Sequence, residues 1–92
     1  MRILLSPVGN PDVKVKYSFD GEVITATIDN VSDIFDFSGF TEDGEADGIE
    51  TILPTNPIGP VKRENGVLMV ELANFIDKNA TDEEKFPKWV EV

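Results

Sequence analysis

The 92-residue chain sets 18 acids against 8 bases, for a formal net charge of −10, and contains neither Cys nor His. That length fits one domain over residues 1–92, and the charge opposes nucleic acid and anionic membranes while favouring basic partners. The two missing residue types exclude disulfides, thiolate chemistry, Cys/His zinc sites and Ser-His or Cys-His nucleophile pairs.

The opening Met1-Arg2-Ile3-Leu4-Leu5-Ser6-Pro7-Val8-Gly9 has one cation and an apolar run too short for a signal peptide. No apolar window is long enough to span a membrane. Val13 to Phe19 alternates strictly, the period of a half-buried strand, and Glu22 to Ile28 is rich in β-branched residues. With Asp20-Gly21 as the turn, Tyr17 faces Ile24, Val15 faces Ala26 and Val13 faces Ile28 on an apolar side. Lys14 and Lys16 share the other side with Thr25 and Thr27, an ordinary solvated face. Asp29-Asn30 tolerates the left-handed region and supplies a second tight turn. Val31 to Phe37 then returns with Phe35 opposite Ile24, Val31 opposite Ile28 and Asp33 opposite Ala26. The carboxylate breaks the apolar pattern and is expected at an edge or a bulge.

Residues 38–48 read as a glycine-containing acidic loop, and Ile49 to Leu53 as a short strand or a helical turn. Pro54, Pro57 and Pro60 mark an irregular connection between two blocks. Asn65-Gly66 is the strongest hairpin signal in the chain. It sets Val61 opposite Val70, with Leu68, Val70 and Leu72 on one side and Val67 and Met69 on the other. Lys62, Arg63 and Glu64 mark the first strand of this hairpin as exposed, an edge. Thr81-Asp82-Glu83-Glu84 is a capping box opening a short helix that Pro87 stops. Trp89-Val90-Glu91-Val92 ends in an extended pattern, with Trp89 expected to plug the core. The fold class is mainly β, or β-rich α+β: an antiparallel meander, a second hairpin and one short C-terminal helix.

Charge is concentrated in residues 31–50, where Asp33, Asp36, Glu42, Asp43, Glu45, Asp47 and Glu50 occur with no Lys or Arg. Asp43-Gly44-Glu45-Ala46-Asp47-Gly48 resembles the start of a calcium loop, in which hard cations gather oxygen ligands around a glycine turn. With Asp43 at position one, Glu45 and Asp47 fall at three and five, but Pro54 stands where the bidentate Glu belongs. With Gly44 at position six, Glu50 takes that place, but Gly39 and Thr41 replace the first carboxylates. Asp43, Glu45, Asp47 and Glu50 are therefore the candidate cation ligands, in two incomplete registers. Paired carboxylates for acid–base work need a cleft and one raised pKa, which loop acids in water lack. No glycine-rich run leads into a Lys-Ser or Lys-Thr helix start, so there is no phosphate cradle. No catalytic residue and no cofactor is expected, and the chain reads as a non-enzyme.

Five segments carry a resemblance: Met1 to Val8, Gly21 to Ile28, Phe35 to Gly39, Leu53 to Ile58 and Glu84 to Trp89. Together they resemble small uncharacterised acidic proteins of phages and prophages of Gram-positive bacteria, from the tail and baseplate gene region. The resemblance implies a protein of the bacterial cytoplasm or the virion. It brings no catalytic residue. The expected function is non-enzymatic protein–protein binding, as a minor tail component or assembly helper with a phage structural protein as partner. The alternative is an acidic inhibitor or DNA mimic that binds a basic host protein, with residues 31–50 in the place of phosphates. No direct contact with nucleic acid or membrane is expected.

Overall fold

The computed structural model describes residues 1–92. Strands hold 52% of the chain and helix 4%, which makes the protein mainly β. Three strands form the meander: β2 (Val15–Asp20), β3 (Val23–Ile28) and β4 (Val31–Asp36), in the order β2-β3-β4. The remaining strands are β1 (Arg2–Gly9), β5 (Gly44–Ala46), β6 (Ile58–Glu64), β7 (Val67–Ile76) and β8 (Val90–Glu91). They form a mixed sheet in the order β5-β6-β7-β1-β8. The helix α1 (Asp82–Lys85) carries the expected capping box between Thr81 and Glu84.

The meander forms because its side-chain period and its turns agree. Asp29 and Asn30 have φ of 50° and 64°, both left-handed, as a tight I′-type turn requires. The pairs Ile24–Phe35, Ala26–Asp33 and Ile28–Val31 follow as the sequence indicates. The first turn differs from expectation. It lies at Gly21-Glu22, with Tyr17 opposite Ala26 and Val15 opposite Ile28. Gly21 at φ 60° takes the first central position, the place of glycine in a II′-type turn, whereas an Asp20-Gly21 turn needs Asp20 left-handed as well. The register moves by two residues, so each side chain keeps its face.

The mixed sheet departs further. The opening residues form β1, which runs parallel to β7 from Arg2–Met69 to Gly9–Ile76 and antiparallel to β8 at its start. The hairpin of β6 and β7 turns at Asn65-Gly66, with φ of 52° and 80°, and pairs Val61 with Val70 as expected. Yet β6 is no edge, because β5 forms within the acidic loop and covers it. The proline segment is only partly irregular, since Pro60 lies inside β6. Between Ile58–Leu72 and Val61–Val70 the register shifts, so Gly59 and Pro60 together face Glu71 in a β-bulge. A bulge accommodates a residue without an N–H. A Cβ on Gly59 would come within 3.1 Å of the Glu71 carbonyl oxygen, so any other residue would have to push the bulge apart by a few tenths of an ångström. Ile49 to Leu53 takes neither strand nor helix, although Leu53 is buried.

Both sheets contribute to one core. Ile24, Ala26, Ile28 and Phe35 of the meander meet Ile3, Val61, Leu68, Val70 and Leu72 of the mixed sheet in a single buried cluster. Tyr17 crosses between the sheets, its hydroxyl donating to the Ala73 carbonyl.

Candidate functional site

Arg63 points inward on β6, next to buried Val61, and is 8% exposed. Its guanidinium donates from Nη1 to Glu22 Oε2 at 3.0 Å and from Nη2 to Glu22 Oε1 at 2.9 Å. Nη1 also reaches the Gly66 carbonyl at 2.9 Å, and Nε donates to the Phe40 carbonyl. One cation thus joins the β2–β3 turn, the loop after β4 and the β6–β7 turn. The Arg63 bond holds the Glu22 carboxyl below the usual carboxylate range, and the same bond raises the already high Arg63 value. Glu22, Phe40 and Gly66 take up its donors, so Arg63 clamps these three segments together.

The acids of residues 31–50 divide into two sets. Three accept hydrogen bonds from their own chain. Asp33 takes the Thr51 hydroxyl at 2.7 Å, the Ile34 N–H at 2.9 Å and the Ile52 N–H at 3.1 Å. Asp36 takes both the hydroxyl and the N–H of Ser38. Asp43 takes the Asn65 and Gly66 N–H groups at 3.0 and 3.1 Å, closing the β6–β7 turn from outside. The Thr51 bond is the first cause of a lowered Asp33 pKa, and the Ser38 hydroxyl plays that part for Asp36. The others, Glu42, Glu45, Asp47 and Glu50, are exposed. The candidate cation ligands do not converge: Asp43 serves the hairpin turn, Glu45 stands on β5 opposite Lys62, and no three acids gather closely enough to hold an ion.

Asp33 has a second consequence. Its carboxylate binds the backbones of Ile34 and Ile52 at once, and these two side chains are 67% and 74% exposed. Ile34 lies on the outer face of β4 opposite Thr25, and Ile52 sits in the irregular segment before β6. The inward Asp33 that broke the apolar pattern therefore fastens an apolar pair in solvent. Its place on the edge strand β4 is the one expected of it. Ile34 was detectable from sequence, since the meander register puts it on the polar face. Ile52 was not, because its position depends on a bond to a residue 19 positions away.

Trp89 does not plug the core. It is 37% exposed and walls a groove on the outer face of the mixed sheet. It comes one residue before Val90, which pairs with Ile3, so the two-residue β8 places the indole over the sheet's surface. The inner face is already closed by Leu68, Val70 and Leu72.

No helix is long and apolar enough to cross a membrane. Comparison with protein-family models, curated proteins and solved structures finds no match.

Proposed function

We propose that this protein is a non-enzymatic accessory protein of a phage or prophage that acts by binding another protein, as a minor tail component or assembly helper. The observation that carries the binding role is the pair Ile34 and Ile52, held out in solvent on either side of one aspartate. Large apolar groups fixed at a surface gain free energy only when something covers them. The phage setting is supported by the five segments that resemble small acidic phage proteins. The alternative, a DNA mimic acting on a basic host protein, draws less support. Three of its seven acids already serve the chain's own hydrogen bonds, which leaves a sparse array for phosphate mimicry.

The test is capture from phage-infected or prophage-induced cells, with tail and baseplate proteins identified by mass spectrometry. The native chain is expected to retain a virion structural protein, and the Ile34→Ser/Ile52→Ser variant to lose it with an unchanged melting temperature. If the native chain retains no virion protein, the tail reading fails. If capture persists in the double variant, the isoleucine pair is not the surface used. For the alternative, Glu42, Glu45, Asp47 and Glu50 are the residues to neutralise, with Asp43 left in place because it closes a turn.

A further inference from the structure

The outer face of the mixed sheet carries a groove of about 540 Å³. Its apolar lining includes Met69 and Pro60, and Trp89 stands at one side. Three carboxylates also line it: Glu45 from β5, Asp47 just beyond β5, and Glu71 opposite the bulge in β6. None of the three takes part in an ion pair within the chain. The one cation in the lining, Lys62, already has a partner, with its ammonium 3.4 Å from Glu64. The groove therefore joins an indole, an apolar lining and three carboxylates outside any ion pair, beside one cation held by Glu64.

We propose that this groove is the docking site for an arginine side chain on an extended, basic segment of a partner protein. Each lining group meets a different part of that side chain. The aliphatic stem fits against Met69 and Pro60. The planar guanidinium stacks on the Trp89 indole, whose face attracts cations. Glu45, Asp47 and Glu71 accept its N–H groups and balance its charge. A second copy of this chain is a poor occupant, since two molecules of net charge −10 repel. A purely apolar ligand would leave carboxylates facing it without partners. The inference rests on the protein-binding reading but uses a different surface, on the other sheet from Ile34.

The chain has a single Trp, so its fluorescence reports this groove alone. The probe is an acetylated, amidated tetrapeptide of alternating arginine and valine, titrated at physiological salt beside its citrulline counterpart. The arginine peptide is expected to give a saturable change in Trp89 emission, and the neutral citrulline peptide none. Glu45→Gln/Glu71→Gln is expected to weaken binding at least tenfold. Glu42→Gln/Glu50→Gln, which removes equal charge outside the groove, is expected to weaken it less than twofold. A non-saturable response, or equal losses in the two double variants, overturns the proposal by leaving only general charge attraction. The native chain, taken through both the peptide titration and the capture from induced cells, separates the two readings. A normal peptide response beside a failed capture of virion proteins discards the tail role and keeps the groove, and the reverse result discards the groove alone.

Discussion

At the scale of single residues, Arg63 decides most. A buried guanidinium is tolerated only when its charge is paired and its donors are satisfied. Glu22 supplies a bidentate partner, while Phe40 and Gly66 supply carbonyls. Lys62-Arg63-Glu64 looks like three solvent-facing charges, yet the strand period turns Arg63 inward between half-buried Lys62 and exposed Glu64. Its partner stands 41 positions away, and nothing local announces it. The pair has a pH signature. Glu22, Asp33 and Asp36 all have folded pKa values below those of the unfolded chain. The unfolded state then binds more protons in acid, so their contribution is present above the unfolded values and is lost as pH falls through the folded ones. Arg63 stays charged throughout that window and adds no slope. The melting temperature is expected to hold at neutral pH and to fall below about pH 5. Glu22→Gln is expected to start lower, with Arg63 uncompensated, and to fall less steeply. Melting curves from pH 7 to 3 check this, and parallel profiles for the two proteins contradict it.

At the scale of elements, local chemistry and distant pairing part company. The β3–β4 and β6–β7 hairpins were legible because turn residues and side-chain alternation select the same register. The β2–β3 turn was legible to within one residue, an error that moves the register by two and leaves the faces unchanged. The strand β1 was not legible. Its apolar run lacks alternation, and Pro7 counts against a strand. Past Ile3, however, β1 has β7 on one side only, so a residue lacking an N–H has an open edge to face. The short β5 was hidden inside an acidic loop because its existence depends on β6. The same distance effect recast Asp43 from a candidate ligand to a brace. Its two bonds to the β6–β7 turn give a direct prediction. Asp43→Ala is expected to lower stability by about 1 kcal/mol, or roughly 4–8 °C in melting temperature for a domain of this size. Glu42→Ala, one residue earlier, is expected to stay within about 0.5 kcal/mol of the native chain. Equal melting temperatures for the two variants refute the brace.

At the scale of the whole molecule, the two blocks that the proline segment appeared to separate are two sheets over a common core. What joins them besides apolar contact is a small set of polar links, and Tyr17 is the one between strands of opposite sheets: a β2 hydroxyl on a β7 carbonyl. Burial pushes the Tyr17 phenol well above its ordinary value. The folded chain keeps the proton where the unfolded chain releases it, near pH 10. Stability linked to this group is therefore complete below that point and declines as pH rises toward the folded value. A phenolate has no hydrogen to donate, so the link between the sheets cannot survive ionisation. Because the chain has one Tyr, phenolate absorbance follows this link without interference. In an alkaline titration, that absorbance is expected to rise only together with loss of the far-ultraviolet β signal, at a pH above that of free tyrosine. Tyr17→Phe removes one hydrogen bond, about 1 kcal/mol at neutral pH, and with it the phenol's share of the alkaline decline. Phenolate forming near pH 10 in a chain that remains folded would show that Tyr17 does not tie the sheets together.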